Sequence, residues 1–388
     1  MIPPRILLFR SLPAAVVALS AILSPAGRQA PETRRAETIA PGVEHLEIRR
    51  GDFAEERESD RWIINVLVLD AHLVRLDSVL ALDEIAGSET TSSLAARHGA
   101  LAAVNGGYFR TTGIYRGEPT GMYAAAGKIL SEPNGPRMEM AVSNAGGVAR
   151  IAFSQVEVRA AVAAEDGERL TIDGINRPRG DNEIILFTPE FHRTTLTSGG
   201  GLEVAVRAGR VANIADGPGS ALVPADGYAL SASGTAREWT IAHLQPGTGI
   251  KLEVATKADP PLAFEPDWVV GAGPFLVRAG TVLGTGQADA EGFAPDFSRA
   301  RHPRTAIGVR EDGRIVLAVV DGRQPKLSVG MTIPELASLM AEWGCREAIN
   351  LDGGGSTTMI VGGKIVNHPS DAAGERPVSD AILVRVRR

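Results

Sequence analysis

Apolar residues recur in short runs along most of the chain, and glycine, proline or aspartate separates one run from the next. Clear examples are Trp62–Leu69, Ile315–Val320 and Asp380–Val386. Short apolar runs bounded by turn residues are typical of β-strands. Residues 148–270 continue in the same way and predict a β-rich elaboration. The pattern predicts an α+β fold, in which a large mixed, twisted β-sheet is accompanied by few helices.

Helical periodicity is confined to short segments. Residues 92–98 form one such segment, which ends before Gly99. A longer segment begins at Thr332, where Thr332 and Glu335 have the spacing of a capping box, and Gly344 provides a C-terminal stop. Each segment precedes an apolar run that leads into glycines, so both helices are expected to hold a strand and its following loop in place.

The N-terminal residues have the organisation of an export signal. Arg5 and Arg10 precede the apolar segment Leu12–Leu23, and the small residues of Ser24–Ala26 follow. We interpret residues 1–26 as a signal peptide, with an uncleaved anchor as the alternative, and residues 27–40 as a linker. Residues 41–388 are then a single catalytic domain in the periplasm or outside the cell, with no stable membrane span after cleavage.

Composition narrows the function classes. The chain has 388 residues and a formal net charge of −6, so it lacks the basic excess with which proteins bind nucleic acid. Cys345 is the one cysteine in the sequence, which excludes an internal disulfide and a cysteine-rich zinc site.

The most informative segment surrounds Asp352. An apolar run delivers this carboxylate into three glycines, Gly353–Gly355, and then into the hydroxyl residues Ser356 and Thr357. Glycine permits positive φ and close approach of a ligand, and its N–H groups can form an anion-binding nest. The segment predicts a site for a sugar, a phosphate or both, whereas a simple capped turn is the structural alternative.

Asn105 lies in a similar arrangement, because it also follows an apolar run and precedes the glycines 106 and 107. Arg304 opens another apolar run and is suited to bidentate recognition of phosphate or carboxylate. Asp321 emerges at the end of a further run. Asp321 and Asp352 are therefore predicted as a pair of acids of the kind that cleaves glycosidic bonds, with turn capping as the alternative for Asp321.

Together these motifs resemble the phosphodiester glycosidase family, from about residue 60 to the C-terminus. The motifs that carry the resemblance are, in order, Asn105-Gly-Gly-Tyr-Phe109, Arg304-Thr-Ala-Ile-Gly308, Asp321-Gly-Arg323, Asn350-Leu-Asp-Gly-Gly-Gly-Ser-Thr357 and Arg376-Pro-Val378. Many bacterial members of this family are exported and related to exopolysaccharides. The resemblance implies hydrolysis of the sugar C1–O bond in a sugar-1-phosphodiester of envelope or extracellular glycans, giving free sugar and a phosphomonoester.

The resemblance also implies site residues. Asp352, Asp321, Arg304 and Asn105 are the expected catalytic residues. The expected substrate-binding residues are Gly106, Gly107, Tyr108, Gly353, Gly354, Gly355, Ser356, Thr357, Arg323, Arg376 and His302.

Two other functions remain open. A carbohydrate-binding or envelope protein on the same fold would need no turnover, although two acids at strand ends favour an enzyme. A metal-assisted phosphodiesterase would break the P–O bond. The sequence has too few His and Asp clusters for a two-metal site, but a single divalent cation such as calcium could be held by Asp and backbone oxygens.

Overall fold

A computed structural model describes residues 31–53 and 60–387. In these ranges the chain forms strands β1 (Glu32–Ala40), β2 (Val43–Arg50), β3 (Trp62–Leu69), β4 (Val74–Leu80), β5 (Ala102–Asn105), β6 (Tyr123–Ala125), β7 (Lys128–Ser131), β8 (Glu139–Ser143), β9 (Arg150–Ala164), β10 (Arg169–Thr171), β11 (Gly174–Ile175), β12 (Ile184–Phe187), β13 (Leu202–Arg207), β14 (Arg210–Asp216), β15 (Gly227–Ala232), β16 (Ile250–Asp259), β17 (Trp268–Gly271), β18 (Phe275–Arg278), β19 (Thr281–Val282), β20 (Arg304–Arg310), β21 (Ile315–Val320), β22 (Cys345–Asn350), β23 (Met359–Val361), β24 (Lys364–Ile365) and β25 (Asp380–Val386). The helices are α1 (Thr91–Arg97), α2 (Gly234–His243), α3 (Thr285–Ala290), α4 (Pro295–Arg299) and α5 (Ile333–Glu342). The predicted signal peptide, residues 1–26, lies outside the described residues.

These strands form four sheets. The largest has eight strands in the order β1-β2-β3-β21-β20-β22-β18-β19, and a five-stranded sheet has the order β24-β23-β5-β25-β4. A seven-stranded sheet has the order β10-β9-β8-β17-β6-β7, with β16 also paired to β9, and the fourth sheet has the order β11-β12-β15-β13-β14. The α+β prediction is confirmed, although parallel pairing among the described strands is confined to β11 and β12.

The eight-stranded sheet is covered on both faces because its inner strands are apolar on both sides. Val316, Ala318 and Val320 of β21 pack with α5, whereas Leu317 and Val319 point into the main core. That core is shared with residues of the other three sheets. The main core therefore joins all four sheets, and the elaboration predicted at residues 148–270 contributes to it and also has a hydrophobic cluster of its own.

Helix α5 forms as its sequence predicts. The Thr332 hydroxyl accepts from the Glu335 N–H, and the Glu335 carboxylate accepts from the Thr332 N–H, which completes the capping box. Gly344 follows the helix at φ +77°, a conformation that favours glycine.

The proposed linker needs correction. Residues 32–40 were expected to lack regular structure because they are polar, but they form the edge strand β1, which pairs with β2 along its length. An edge strand tolerates polar residues on both faces because neither face is buried deeply, and β1 is largely exposed.

No helix in the described ranges combines the length and the apolar character that crossing a membrane requires.

Candidate functional site

The loops that follow β5 and β22 meet although their strands belong to different sheets. The Asp352 N–H donates to the Gly106 carbonyl at 3.1 Å. The Asn105 amide N–H donates to the Asp352 carbonyl at 2.7 Å, and its amide oxygen accepts from the Thr305 hydroxyl at 2.7 Å and from the Thr358 N–H at 3.2 Å. Asn105 is fully buried, so it joins three backbone segments and leaves its predicted sugar contact without support.

Asp352 lies at the centre of this junction and is partly exposed. Its carboxylate accepts from the Gly353 N–H at 2.8 Å, and the Ser356 hydroxyl lies beside it. Burial raises the pKa of Asp352 to about 6, against the opposing effects of these donors and of Arg376, and the nearby Asp380 raises it further. A carboxyl with a pKa near neutrality can both accept and donate a proton under ordinary conditions.

Asp380 is a second carboxyl at this junction that the sequence analysis missed as a functional residue. It is buried, and the Gly107 N–H donates to both of its oxygens at 3.2 Å. A Cβ at Gly106 would lie 1.9 Å from an Asp380 oxygen, so glycine is required there. Burial also raises the pKa of Asp380 to about 6. Its position at the start of an ordinary strand gives no signal in the sequence.

Asp321 lies in a different environment from the one predicted for it. It is fully buried, and its carboxylate accepts from the Asn367 amide at 3.1 Å and from the N–H and Nδ1 of His368 at 3.0 and 2.8 Å. This contact raises the pKa of His368, whose side chain is exposed at 48%. The carboxyl that lies near Asp352 is therefore Asp380, and Asp321 orients His368, a residue that was not predicted.

Arg304 also differs from its predicted role in binding an anion, because its guanidinium donates to backbone carbonyls. The Nε atom donates to Met331 at 2.8 Å, and Nη2 donates to Phe297 at 2.5 Å and to Ala300 at 3.1 Å. Carbonyl groups of residues 297–300 accept hydrogen bonds from this guanidinium. The predicted anion contact of Arg304 therefore lacks support. Burial lowers the pKa of Arg304 to about 10.

The glycine nest is largely occupied as well. The Gly353 N–H donates to Asp352, and the Gly354 N–H donates to the Pro303 carbonyl at 2.9 Å. Gly355 lies against the guanidinium of Arg376, which forms a bidentate pair with Asp371. The three N–H groups therefore do not form the open cradle that the sequence predicted.

Two further predicted residues, Arg323 and His302, lie next to each other near these glycines. Arg323 is exposed, has φ +59°, and packs against Gly354. Its guanidinium lies 3.3–3.4 Å from Nδ1 of His302, whose pKa is lowered by burial and by Arg304 and Arg323. The predicted substrate contact of Arg323 stays a prediction.

Tyr108 forms the opposite wall. Its hydroxyl donates to the Gly273 carbonyl at 2.6 Å and accepts from the Asn350 amide at 2.7 Å. The Asn350 amide oxygen and the hydroxyls of Thr357 and Thr358 are buried without a hydrogen-bond partner among the described residues. Unpaired polar atoms are rare in protein interiors and are typical of functional sites.

A cavity of about 280 Å³ is bounded in part by Arg376, which also lies against Gly355. Its lining residues are Phe109, Thr111, Arg116, Arg376 and Pro377. A larger cavity of about 460 Å³ lies between β9 and residues 132–135 and 172–175, where no predicted site residue is found. Among the described residues, no three His, Cys, Asp or Glu side chains are grouped to hold a metal ion, so the calcium option rests on the sequence alone.

The phosphodiester glycosidase family model matches residues 200–385, which include the Arg304, Asp321, Asp352 and Arg376 motifs. The chain resembles the phosphodiester glycosidase family, as its motifs predicted, over just under half of its length. Over 104 residues it is 30% identical to the human N-acetylglucosamine-1-phosphodiester α-N-acetylglucosaminidase, which covers 27% of this chain and 20% of the human protein. Over 84 residues it is 45% identical to an uncharacterized prophage-derived protein of Bacillus subtilis, covering 22% of this chain and 13% of that protein. The chain thus aligns with a fifth or less of these curated relatives.

Two solved structures resemble nearly the whole of this chain. A Burkholderia pseudomallei protein assigned as exported superposes with a TM-score of 0.82 at 25% identity, covering 95% of this chain and 99% of that one. A hypothetical protein of Synechocystis superposes with a TM-score of 0.76 at 23% identity, covering 92% and 64%. The second likeness concerns the fold alone.

Proposed function

We propose that this protein is a hydrolase that cleaves the C1–O bond of a sugar-1-phosphodiester, with Asp352 as the carboxyl at the reacting centre. The observation that carries the proposal is the position of Asp352. It is partly exposed at the junction of two strand-end loops, its pKa is raised to about 6, and it lies within the influence of Arg376, which lines a cavity.

In the proposed reaction water adds to the sugar and the phosphate leaves as a monoester. A phosphate leaving group is already a stabilised anion, so its departure needs charge recognition more than protonation. Asp352 stabilises the oxocarbenium-like centre or activates the water. Asp380 acts through Asp352, because its nearby charge favours the protonated form of Asp352. We place the substrate in the adjoining cavity and in the cleft beside Tyr108, with Arg376 and Arg323 as contacts.

We also propose that the protein acts on envelope or extracellular glycans after export. The likeness to an exported Burkholderia protein supports this location, and the N-terminal sequence supports a signal peptide. Mass spectrometry of the N-terminus of the exported protein tests both, since a mature protein that begins near residue 27 is expected.

The activity is tested with N-acetylglucosamine-1-phosphodiesters and other sugar phosphodiesters in oxygen-18 water. Label in the released sugar supports C1–O cleavage. Label in the phosphate would make the protein a phosphodiesterase, and binding without turnover would make it a carbohydrate-binding protein.

The Asp352→Asn variant is expected to lower turnover by about 10²–10⁴-fold, because acid–base groups contribute rate factors of that size. In the wild-type protein, kcat/KM should show an apparent pKa of about 6 that the variant lacks. A rising limb would identify a base or nucleophile, and a falling limb an acid. A folded Asp352→Asn variant with full activity would remove Asp352 from the mechanism.

A further inference from the structure

Arg137 is an arginine that neither the sequence motifs nor the proposed reaction use. Its guanidinium lies 4.3 Å from the ring centroid of Phe293 and 5.5 Å from that of Tyr108. No described residue forms a hydrogen bond or ion pair with the Arg137 side chain, which is partly buried. Contacts with ring faces fix the plane of a guanidinium without using its N–H donors.

Two buried acids in this region, Glu139 and Glu291, form no ion pair with Arg137. Glu139 is 1% exposed, neither of its oxygens has a hydrogen-bond partner among the described residues, and burial raises its pKa to about 8. Glu291 is also buried, its pKa is raised, and its oxygens accept from the N–H groups of Phe275 and Met138. A partly desolvated cation without a paired anion favours the binding of one.

Arg137 lies beside Tyr108, whose hydroxyl accepts a hydrogen bond from the amide of Asn350, two residues before Asp352. Tyr108, which its guanidinium contacts, experiences the charges of Asp352, Arg304 and Arg137. Arg304 donates to backbone carbonyls and Arg376 is paired with Asp371, so neither guanidinium is free in the way that Arg137 is.

We propose that Arg137, held over the rings of Phe293 and Tyr108, binds the phosphodiester anion of the substrate. This inference rests on the proposed function for its substrate class and assigns the charge recognition that the sequence had placed on Arg304. The free N–H edges of Arg137 would donate to the two non-bridging oxygens of the phosphate, and the ring of Tyr108 would keep the planar group aligned.

The test measures binding of dimethyl phosphate, a minimal phosphodiester monoanion, by phosphorus NMR titration. Arg137→Met keeps the aliphatic packing on Phe293 and removes the charge, so affinity should fall about 10- to 100-fold, the usual range for hydrogen bonds to charged groups. Arg137→Lys should retain part of the binding. Arg159→Met, which removes an arginine whose side chain is 84% exposed, is the matched control and should bind as the wild type does.

Turnover provides a second readout that separates this inference from the proposed function. With a sugar-1-phosphodiester, Arg137→Met should raise KM or lower kcat/KM by the same factor. With a p-nitrophenyl glycoside of the same sugar, which carries no phosphate, the change should stay below about threefold. Equal binding of dimethyl phosphate by Arg137→Met and wild type, or no binding by the wild type, overturns the assignment whether or not the protein hydrolyses any phosphodiester.

Discussion

At the scale of single residues, the candidate site contains two carboxyl groups whose ionised forms are disfavoured by burial. Asp352 and Asp380 are carboxyls whose pKa values burial raises to about 6, and both contact the loop at Gly106 and Gly107. Two carboxyls that share a site disfavour each other's ionised form. Such a pair is costly for the folded state and useful for proton transfer, which is the usual opposition between stability and activity.

The raised pKa of Asp352 predicts how this residue affects the stability of the folded protein as pH changes. The folded pKa, about 6, exceeds the usual value of 3.8 for an aspartic acid, so the folded state holds the proton more tightly. The stability from this group is complete below pH 4 and is lost as pH rises through 6. Asp352→Asn mimics the protonated form, so at pH 7.5 its free energy of unfolding should exceed that of the wild type by about 1–2 kcal/mol.

Urea denaturation at pH 4 and pH 7.5 checks this expectation, and the difference between variant and wild type should shrink at the lower pH. Asp181→Asn, at an exposed position, serves as the control and should show no such dependence. A variant that is less stable than the wild type at pH 7.5 would contradict the account of Asp352.

At the scale of elements, the sequence predicts the bounds of strands and helices better than it predicts which side chains contact each other. The bounds of β3, β21 and β25 agree with the apolar runs read from the sequence, and α5 begins and ends at its predicted cap and glycine. These features depend on neighbouring residues. The partners of Arg304 and Asp321 could not be predicted, because they come from residues 297–300, 331 and 367–368, which only the folded chain brings close.

The same limit applies to the site as a whole. The sequence correctly brings Asn105 and Asp352 to adjoining loops, but it gives no sign of Asp380, Arg137 or His368. Asp380 begins an ordinary strand, and Arg137 acquires its position from rings that lie far from it in the sequence.

The N-terminal cap of α5 leads to a prediction about the stability of the protein. Thr332→Ala removes the acceptor of the Glu335 N–H, so the free energy of unfolding should fall by about 1 kcal/mol. Turnover should change less than about twofold, since α5 packs on the face of the eight-stranded sheet opposite the main core. Ser338→Ala, which removes an exposed hydroxyl from the same helix, is the control for thermal denaturation.

At the scale of the whole molecule, the elaboration shares the main core. Phe187 of β12 is fully buried in that core and lies 4.9 Å from the ring of Phe191. A region that shares its core with the rest of the chain is expected to unfold together with it.

Phe187→Ala should therefore destabilise the entire protein by about 3–5 kcal/mol, the usual cost of removing a buried aromatic ring. Differential scanning calorimetry should show one transition at a lower temperature, and Leu222→Ala, at an exposed position in the same region, should leave it nearly unchanged. Two separate transitions would show that the elaboration folds on its own.

The contact between Gly106 and Asp380 limits how the site can evolve. An Asp380 oxygen occupies the space that a side chain at position 106 would need, and the Gly107 N–H binds the same carboxylate. A larger residue at 106 becomes tolerable only after the carboxylate at 380 is shortened or turned away, and that change would release the Gly107 N–H. Two positions 274 residues apart in the chain are thus linked in evolution, because position 106 can accept a side chain only after position 380 has changed.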